Sequence, residues 1–504
     1  MQKKIAFLCV FVMAYTLYFI ELPPWWDGTT TAVTALDTVK NNINLYVDFF
    51  GKPPFIFLSL GTLFKIFGYS PEMIHVFMMV FSIAGIIFTY KVGEILGGEE
   101  IAYGASFLLV SSPLFIAQSV NLNFDLPSMA LLMAVYYFYL KKNYVFLAIF
   151  GTMLVMTKEI GILFIAALLL STIINYSAEK RSNKYKLRTA LAAQLIPVII
   201  FIGWAYGNYT RKGWFLFPRD SPIMKFESIF NENLIMRSEQ LLVINYNWIL
   251  TILIICSLLI WSYRHKYRHR QRESFDREKI KMLLPLILFS LLFFITVAPI
   301  RDFNLPRYVI VLYPAFYLAS AWAVSVLGKN RNLFAIIIIF MALLFAAQSA
   351  YSVYSPDPYV FLDPATQKIY GENPSLTLDG SGVMEINLKY VDYVKADIEL
   401  IGFINTTKPS DPLLLNRFNH YGIFGAANKG IDIGYGQKSH REYKELGDFY
   451  RSPYTISYPA ILVIENFNMF DIEKLYNMYN VTLLKQIQVN GVGADVYQID
   501  KDYS

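Results

Sequence analysis

The chain has 504 residues, of which 55% are hydrophobic and only 16% are charged, with a formal net charge of +6. A soluble protein of this length needs a larger charged surface, so the composition excludes an ordinary soluble enzyme. Both of its cysteines lie in apolar segments, so the remaining polar part has no disulfide framework to stabilise it.

Long apolar runs predict a polytopic α-helical membrane protein. The runs Met282–Pro299 and Leu333–Ala347 are long enough, or nearly so, to cross about 30 Å of hydrocarbon at about 1.5 Å per residue. About eleven spans are predicted, at residues 5–21, 73–95, 101–119, 126–140, 144–157, 160–176, 189–207, 243–262, 283–299, 308–327 and 333–353. Residues 1–353 are therefore assigned to a membrane domain and residues 354–504 to a soluble tail.

Basic clusters predict the orientation of these spans. Lys141-Lys142 and the segment from Arg264 to Lys281 fall on the same side as the N-terminus, which the positive-inside rule places in the cytoplasm. Successive loops alternate between the two sides of the membrane, and the basic clusters fall on the cytoplasmic side only if residues 53–68 do not cross the bilayer. Juxtamembrane helices are therefore expected in the first outside loop. Eleven spans then place the tail outside the cytoplasm.

The tail has the pattern of a small soluble domain. Ala460–Ile464 is typical of a buried strand, and Asp471–Tyr479 of a short helix. Residues 481–489 and 492–499 flank the dipeptide Asn490-Gly491, which is a strong hairpin signal. The pattern predicts an α/β or α+β domain.

Ionisable residues gather on the predicted outside face. Each one alone is compatible with an interfacial or snorkelling side chain. Together they are unusual because topology does not call for positive charge on this face. Lys158-Glu159 is the clearest case, since it interrupts a nearly continuous apolar stretch. The candidates are Asp27, Asp48, Lys52, Asp125, Lys158, Glu159, Arg301, Arg307 and, at a span end, Tyr313.

Such a set suits a reaction on a lipid-linked phosphate. Cations would hold the phosphate and stabilise its charge as a leaving group, and a carboxylate would take a proton from an attacking hydroxyl. Asp27 is the candidate for the proton acceptor. The candidate phosphate-binding residues are Lys52, Lys158, Arg301 and Arg307.

Several of these residues lie in short sequence elements that follow one another in a characteristic order over residues 5–330. The elements are Asp27, the helix Thr29–Val39, Lys52-Pro53-Pro54, Leu63–Gly68, Asp125-Leu126-Pro127, Thr157-Lys158-Glu159, Pro306-Arg307-Tyr308 and Leu312-Tyr313-Pro314. The chain thereby resembles the membrane glycosyltransferases with the C-type fold, nearest to the protein O-mannosyltransferases and the lipid A aminoarabinose transferases.

The resemblance implies a polyprenyl-phosphate sugar as donor and an inverting transfer, with Asp27 as general base. It implies that Lys52 and Arg307 contact the donor phosphate, with Lys158 a weaker match. It implies no cofactor or metal, and an acceptor that is a protein, a glycan or a lipid. One residue departs from the pattern, because these families have Asp-Glu where this chain has Asp27-Gly28.

Two other functions are compatible with the sequence. A transporter or lipid flippase would show ionisable residues or helix breaks near mid-membrane in two matching halves, and no such repeat is found. A catalytically silent scaffold would bind partners through the tail. Membrane lipids are expected partners in every case, and nucleic acid is not. A prokaryotic plasma membrane is the expected location, although the endoplasmic reticulum would give the same topology.

Overall fold

The computed structural model describes most of the membrane domain and parts of the tail. The described residues are 2–40, 52–178, 184–216, 232–266, 273–297, 305–328, 330–354, 361–371, 388, 390–407, 411–415, 423–424, 427, 434–435, 443–445, 459–465, 479–490 and 492–500. Two of the candidate site residues, Asp48 and Arg301, lie outside them, as does most of the helix predicted at 471–479.

Helices dominate the first 354 residues. They are α1 (Gln2–Tyr18), α2 (Asp27–Lys40), α3 (Phe55–Phe67), α4 (Pro71–Gly97), α5 (Glu99–Ser111), α6 (Pro113–Val120), α7 (Asp125–Leu140), α8 (Tyr144–Val155), α9 (Ile160–Ala178), α10 (Lys184–Lys212), α11 (Glu232–Leu242), α12 (Asn247–Lys266), α13 (Glu273–Thr296), α14 (Tyr313–Leu327) and α15 (Arg331–Tyr354). A 3₁₀-helix, Pro306–Leu312, leads directly into α14.

Length and composition mark this helical part as membrane-embedded. In the described part of the chain, four helices are long and apolar enough to cross a bilayer, or six if two bent pairs each count as one span. Large apolar side chains point outward from several of them, such as Ile199 and Leu343, which a water-exposed helix would not tolerate in such numbers. The chain is an integral membrane protein. The count of eleven spans stays a prediction, because five further apolar helices have only 12 to 17 residues within their apolar segments.

One of the predicted spans is bent, and another, predicted at 243–262, begins at a second bend. The span predicted at 101–119 divides into α5 and α6, which meet at an angle of 62°. Pro113 has no backbone N–H to continue the first helix, and the hydroxyl of Ser112 caps the second by accepting from Phe115 N at 3.3 Å. A sharper bend of 86° separates α11 from α12.

The first loop contains two helices that pack closely. A Cβ atom on Gly61 of α3 would lie only 2.3 Å from the carbonyl oxygen of Ala35 in α2, so the contact requires glycine. The buried face of α3, which includes Phe57 and Phe64, joins the core of the membrane domain. This packing holds α2, whose first residue is Asp27, against the rest of the bundle.

Among its described residues, the tail contains the helix Tyr390–Thr407, two short helices at Pro364–Thr366 and Gln367–Gly371, and a five-stranded mixed sheet. The strands are β1 (Leu413–Leu415), β2 (Tyr443–Glu445), β3 (Ala460–Glu465), β4 (Asn480–Val489) and β5 (Val492–Asp500), in the order β2-β1-β3-β5-β4. β4 and β5 pair antiparallel across Asn490, as the sequence predicted, and β3 is buried between β1 and β5. The predicted α/β or α+β character of the tail matches this arrangement of helix and sheet, while its solubility and the domain boundary at residue 353 stay predictions.

Candidate active site

Asp27 is the first residue of α2. The first turn forms where Gly28 N and Thr29 N each donate to a tryptophan carbonyl, of Trp25 and Trp26 respectively, at 3.0 Å. Trp26 has a positive φ of 55°, which turns the chain sharply just before the aspartate. A carboxylate is favoured at this position because it complements the positive end of the helix dipole.

Arg307 joins Asp27 to a second carboxylate. Its Nη2 donates to Asp27 Oδ2 in a short ion pair, and its Nε lies 3.5 Å from Asp125 Oδ2. The 3₁₀-helix that carries Arg307 packs against α7, which begins at Asp125. The side chains of Arg307 and Asp125 are each 4% exposed, whereas that of Asp27 is 29% exposed. One buried guanidinium therefore links an accessible carboxylate to a buried one.

Lys158 completes the buried part of this cluster. Its Nζ is 2.5 Å from Asp125 Oδ1, and its side chain is only 9% exposed. Lys158 lies in the connection between α8 and α9, where the chain is not helical. Burial lowers the pKa of the Lys158 ammonium, although the charge of Asp125 opposes that shift.

Lys52 and Glu159 form a neighbouring ion pair that is less buried. Lys52 Nζ lies 3.3 Å from Glu159 Oε1, and Glu159 directly follows Lys158. Burial alone would raise the pKa of Glu159, but the charges of Lys52 and Lys158 outweigh it and the pKa is lowered. The backbone reinforces the contact, because Phe55 N donates to the carbonyl of Met156 at 2.9 Å.

Arg237 and Tyr308 belong to the same cluster, although neither was a candidate from the sequence. Arg237 is 1% exposed and donates to Leu305 O at 2.6 Å and to Gln240 Oε1 at 3.1 Å. Its guanidinium carbon lies 4.7 Å from the centre of the Tyr308 ring, and Lys158 Nζ lies 4.2 Å from the same centre. The electron-rich ring faces thus stabilise two buried cations. The only sequence signal was a polar pair, Arg237 and Gln240, at helical spacing.

The structure brings six of the nine candidate residues to one place: Asp27, Lys52, Asp125, Lys158, Glu159 and Arg307. Tyr313 is buried six residues after Arg307, and its ring packs against that of Tyr317, with the ring centroids 5.3 Å apart. It contributes to the core of α14, and its part in the site stays a prediction. The structure does not describe Asp48 and Arg301.

Opposite charges nearly balance among the described residues of the cluster. The cations are Lys52, Lys158, Arg237 and Arg307, and the carboxylates are Asp27, Asp125 and Glu159. Cations gathered at one buried site can bind an anion such as a phosphate.

Comparison with known proteins connects this geometry to a fold. A family model described as dolichyl-phosphate-mannose-protein mannosyltransferase matches residues 51–204, a segment that contains Lys52, Asp125 and Lys158. ArnT from Cupriavidus metallidurans bound to undecaprenyl phosphate matches over 98% of this chain and 97% of its own, with a TM-score of 0.60 and 13% identity. The chain has the C-type fold of membrane glycosyltransferases. The predicted resemblance is confirmed.

Other C-type structures give the same result. ArnT in the apo state matches over the same shares of both chains, with a TM-score of 0.60 and 12% identity. The apo oligosaccharyltransferase from Archaeoglobus fulgidus matches over 91% of this chain and 69% of its own, with a TM-score of 0.52 and 10% identity. A search of curated protein sequences gives no match. Structural similarity at such low sequence identity shows the fold alone. The chemistry therefore has to be inferred from the side chains of this chain.

Proposed function

We propose that the protein transfers a sugar from a polyprenyl-phosphate donor to a hydroxyl acceptor. The observation that supports it is the convergence of Asp27, Lys52 and Arg307 on one site lined by further cations. ArnT, which shares the fold, has been crystallised with undecaprenyl phosphate. A site with several cations in a membrane protein suits the phosphate head of such a lipid.

The proposed step is a single displacement. The acceptor oxygen attacks the anomeric carbon and forms the new glycosidic bond, while the bond from that carbon to the phosphate oxygen breaks. Asp27 receives the hydroxyl proton, and the electron pair leaves with the polyprenyl phosphate. One displacement at one carbon inverts its configuration.

Exposure favours Asp27 over Asp125 as the base. Asp27 is 29% exposed at its side chain and can reach a substrate, whereas Asp125 is 4% exposed and is already engaged by Lys158 and Arg307. A general base has to lie within hydrogen-bond reach of the proton that it takes. We therefore assign the base to Asp27 and assign Asp125 to holding the two cations.

Arg307 would exchange partners when the donor binds. In this structure, its Nη2 is paired with Asp27. A phosphate offers the guanidinium a stronger bidentate contact, so the arginine would turn from the carboxylate to the phosphate. Asp27 is then free to accept a hydrogen bond from the acceptor hydroxyl, which makes prior donor binding a condition for catalysis.

The surroundings of the reaction complete the proposal. The cations would stabilise the developing phosphate charge without a metal ion. The positive-inside pattern supports an extracytoplasmic site and tail, with the N-terminus in the cytoplasm, and we propose a prokaryotic plasma membrane as the location. The acceptor class, which is a protein, a glycan or a lipid, is open.

Substitution of Asp27 with Asn tests the proposal. A lipid extract from a deletion strain, in which unused donor accumulates, is supplied to purified protein in nanodiscs, with EDTA present throughout. Mass spectrometry follows loss of the lipid-linked sugar and appearance of polyprenyl phosphate. We expect turnover to fall about 10²- to 10⁴-fold in Asp27→Asn, while Asp37→Asn, an exposed position on the same helix, remains active.

Binding and turnover must separate in this experiment. Asp27→Asn should retain affinity for undecaprenyl phosphate, measured by native mass spectrometry, because the phosphate contacts lie on other residues. Unchanged turnover in Asp27→Asn would remove it as the base. A donor that wild-type protein moves across the bilayer without consuming it would instead establish a flippase.

A further inference from the structure

Residues of the tail pack against Pro24 and Trp25, directly before Asp27. Trp25 is 1% exposed, and its ring stacks on Tyr390 with centroids 5.6 Å apart and planes 22° apart. Tyr393 lies against the same indole at 6.1 Å. Both tyrosines belong to the tail helix Tyr390–Thr407. Trp25 is thus a buried anchor of the first loop inside the tail, two residues before the candidate base.

A second contact acts on the neighbouring residue. The hydroxyl of Tyr435, in the tail, donates to the carbonyl of Pro24 at 3.0 Å. The hydroxyl of Thr29, in the first turn of α2, donates to the same carbonyl at 2.8 Å. Gly434 lies flush on the loop, since a Cβ there would be 2.9 Å from Pro23 Cβ. One carbonyl oxygen therefore joins the tail to the helix that Asp27 begins.

The membrane domain holds the other side of this loop. His75, in the first turn of α4, lies with its Nε2 2.8 Å from the carbonyl of Leu22. The hydroxyl of Tyr390 donates to Ala117 O at 3.3 Å, which ties the tail helix to α6 as well. A shared apolar core contains Phe19 and Val33 from the first helices together with tail residues. The loop 22–26 is therefore fixed between two bodies.

The backbone at Trp26 shows why such fixing matters. Its φ of 55° is in the left-handed region, which a bulky residue adopts only when its surroundings impose it. This single residue sets the direction in which α2 starts and so the direction of the Asp27 side chain. Contacts on both Pro24 and Trp25 determine the conformation immediately upstream.

We propose that Trp25, held by Tyr390 and Tyr393 of the tail and preceded by the Tyr435 contact to Pro24, is a positioning residue that orients Asp27. This inference rests on the proposed function of Asp27 and gives the tail a defined part in catalysis. The tail would complete the active site by fixing one backbone turn rather than by supplying a reacting group. A displacement of about 1 Å at a reacting group can cost about 10²-fold in rate.

Variants in the full-length protein test the role. Trp25→Ala and Tyr393→Ala should each lower kcat up to about 100-fold. Affinity for undecaprenyl phosphate should change less than about threefold, because Lys52 and Arg307 are not touched by the substitution. Trp25→Phe should restore most of kcat, since a ring still fills the space between the tyrosines. Ile398→Ala, an exposed apolar position on the same tail helix, is the control and should keep wild-type kcat.

Hydrogen exchange gives a readout that does not depend on activity. In Trp25→Ala, amides of residues 27–33 should exchange faster, while those of β3 and β5 remain protected. The milder Tyr435→Phe removes only one hydroxyl and should lower kcat about fivefold, the equivalent of one hydrogen bond. Unchanged exchange at residues 27–33 would overturn the proposal, as would a loss of phosphate affinity equal to the loss of kcat. If wild-type protein shows no transfer, the proposed function fails, and the exchange result still decides whether the tail holds this turn.

Discussion

Removal of the Asp125 charge would leave two buried cations with one carboxylate between them. Lys158 Nζ lies 2.5 Å from Asp125 Oδ1, and Arg307 Nε lies 3.5 Å from Asp125 Oδ2. Loss of one partner from a buried ion pair costs about 3–5 kcal/mol. The Tyr308 ring, 4.2 Å from Lys158 Nζ, retains part of the stabilisation. We therefore expect Asp125→Asn to lower the free energy of unfolding by about 3 kcal/mol.

The reciprocal variant should cost less. Lys158→Met leaves Asp125 with Arg307 as a remaining partner, so we expect a loss of about 2 kcal/mol. In the double variant neither charge of the pair remains, and the loss should be about 3 kcal/mol rather than the sum of about 5. The coupling energy between the two residues is then about 2 kcal/mol.

Reversible unfolding in mixed micelles, titrated with SDS, measures all four proteins of the cycle. The exposed pair Lys4 and Glu99, 3.0 Å apart, is the control and should show no measurable coupling. Additive effects of Asp125→Asn and Lys158→Met would refute the reasoning, because two groups that interact directly in a buried site cannot contribute independently.

Three further substitutions test the same cluster. Burial lowers the pKa of Lys158, so its charge is lost at a lower pH than that of an ordinary lysine. Turnover should therefore fall as the pH rises through the pKa of Lys158. Lys158→Arg stays charged and should move this fall in the pH–rate profile to higher pH. Lys52→Ala should weaken binding of undecaprenyl phosphate about tenfold or more. The control Lys65→Ala changes an exposed lysine of α3 and should leave binding unchanged. Equal affinities of Lys52→Ala and the wild type in native mass spectrometry would contradict the assignment of Lys52 to the phosphate site. Gly28→Ala should lower kcat while Gly203→Ala, where an added methyl meets nothing within 4 Å, leaves it unchanged.

The sequence predicted the members of the site better than it predicted the bends that assemble it. Lys158 and Asp125 were recognisable because ionisable residues next to long apolar runs are rare. The bend after Ser112 also had a local signal in Pro113. The fold class followed from apolar runs and basic loops, since both act over whole segments.

The bend between α11 and α12 had no such local signal. Asn245 and Tyr246 adopt left-handed conformations there, and contacts from a distant segment hold them. Tyr246 N and Trp248 Nε1 donate to the two oxygens of Asp363, at 2.9 and 3.1 Å. The energy that fixes this bend is tertiary, so no pattern within residues 232–266 could reveal it. The same bend orients α11, which explains why Arg237 was missed.

The departure at Gly28 has a physical reason in the packing of this chain. A Cβ atom at position 28 would lie 3.0 Å from Leu122 O and 3.1 Å from Asn121 Oδ1, so the start of α2 touches the turn that leads into α7. Asp27 begins one of these helices and Asp125 the other, and Arg307 spans the gap between the two carboxylates. A side chain at position 28 would make these contacts tight, so the turn at Asn121 and Leu122 would have to shift by a few tenths of an ångström. The glycine therefore permits the short distance over which a single guanidinium can reach both aspartates.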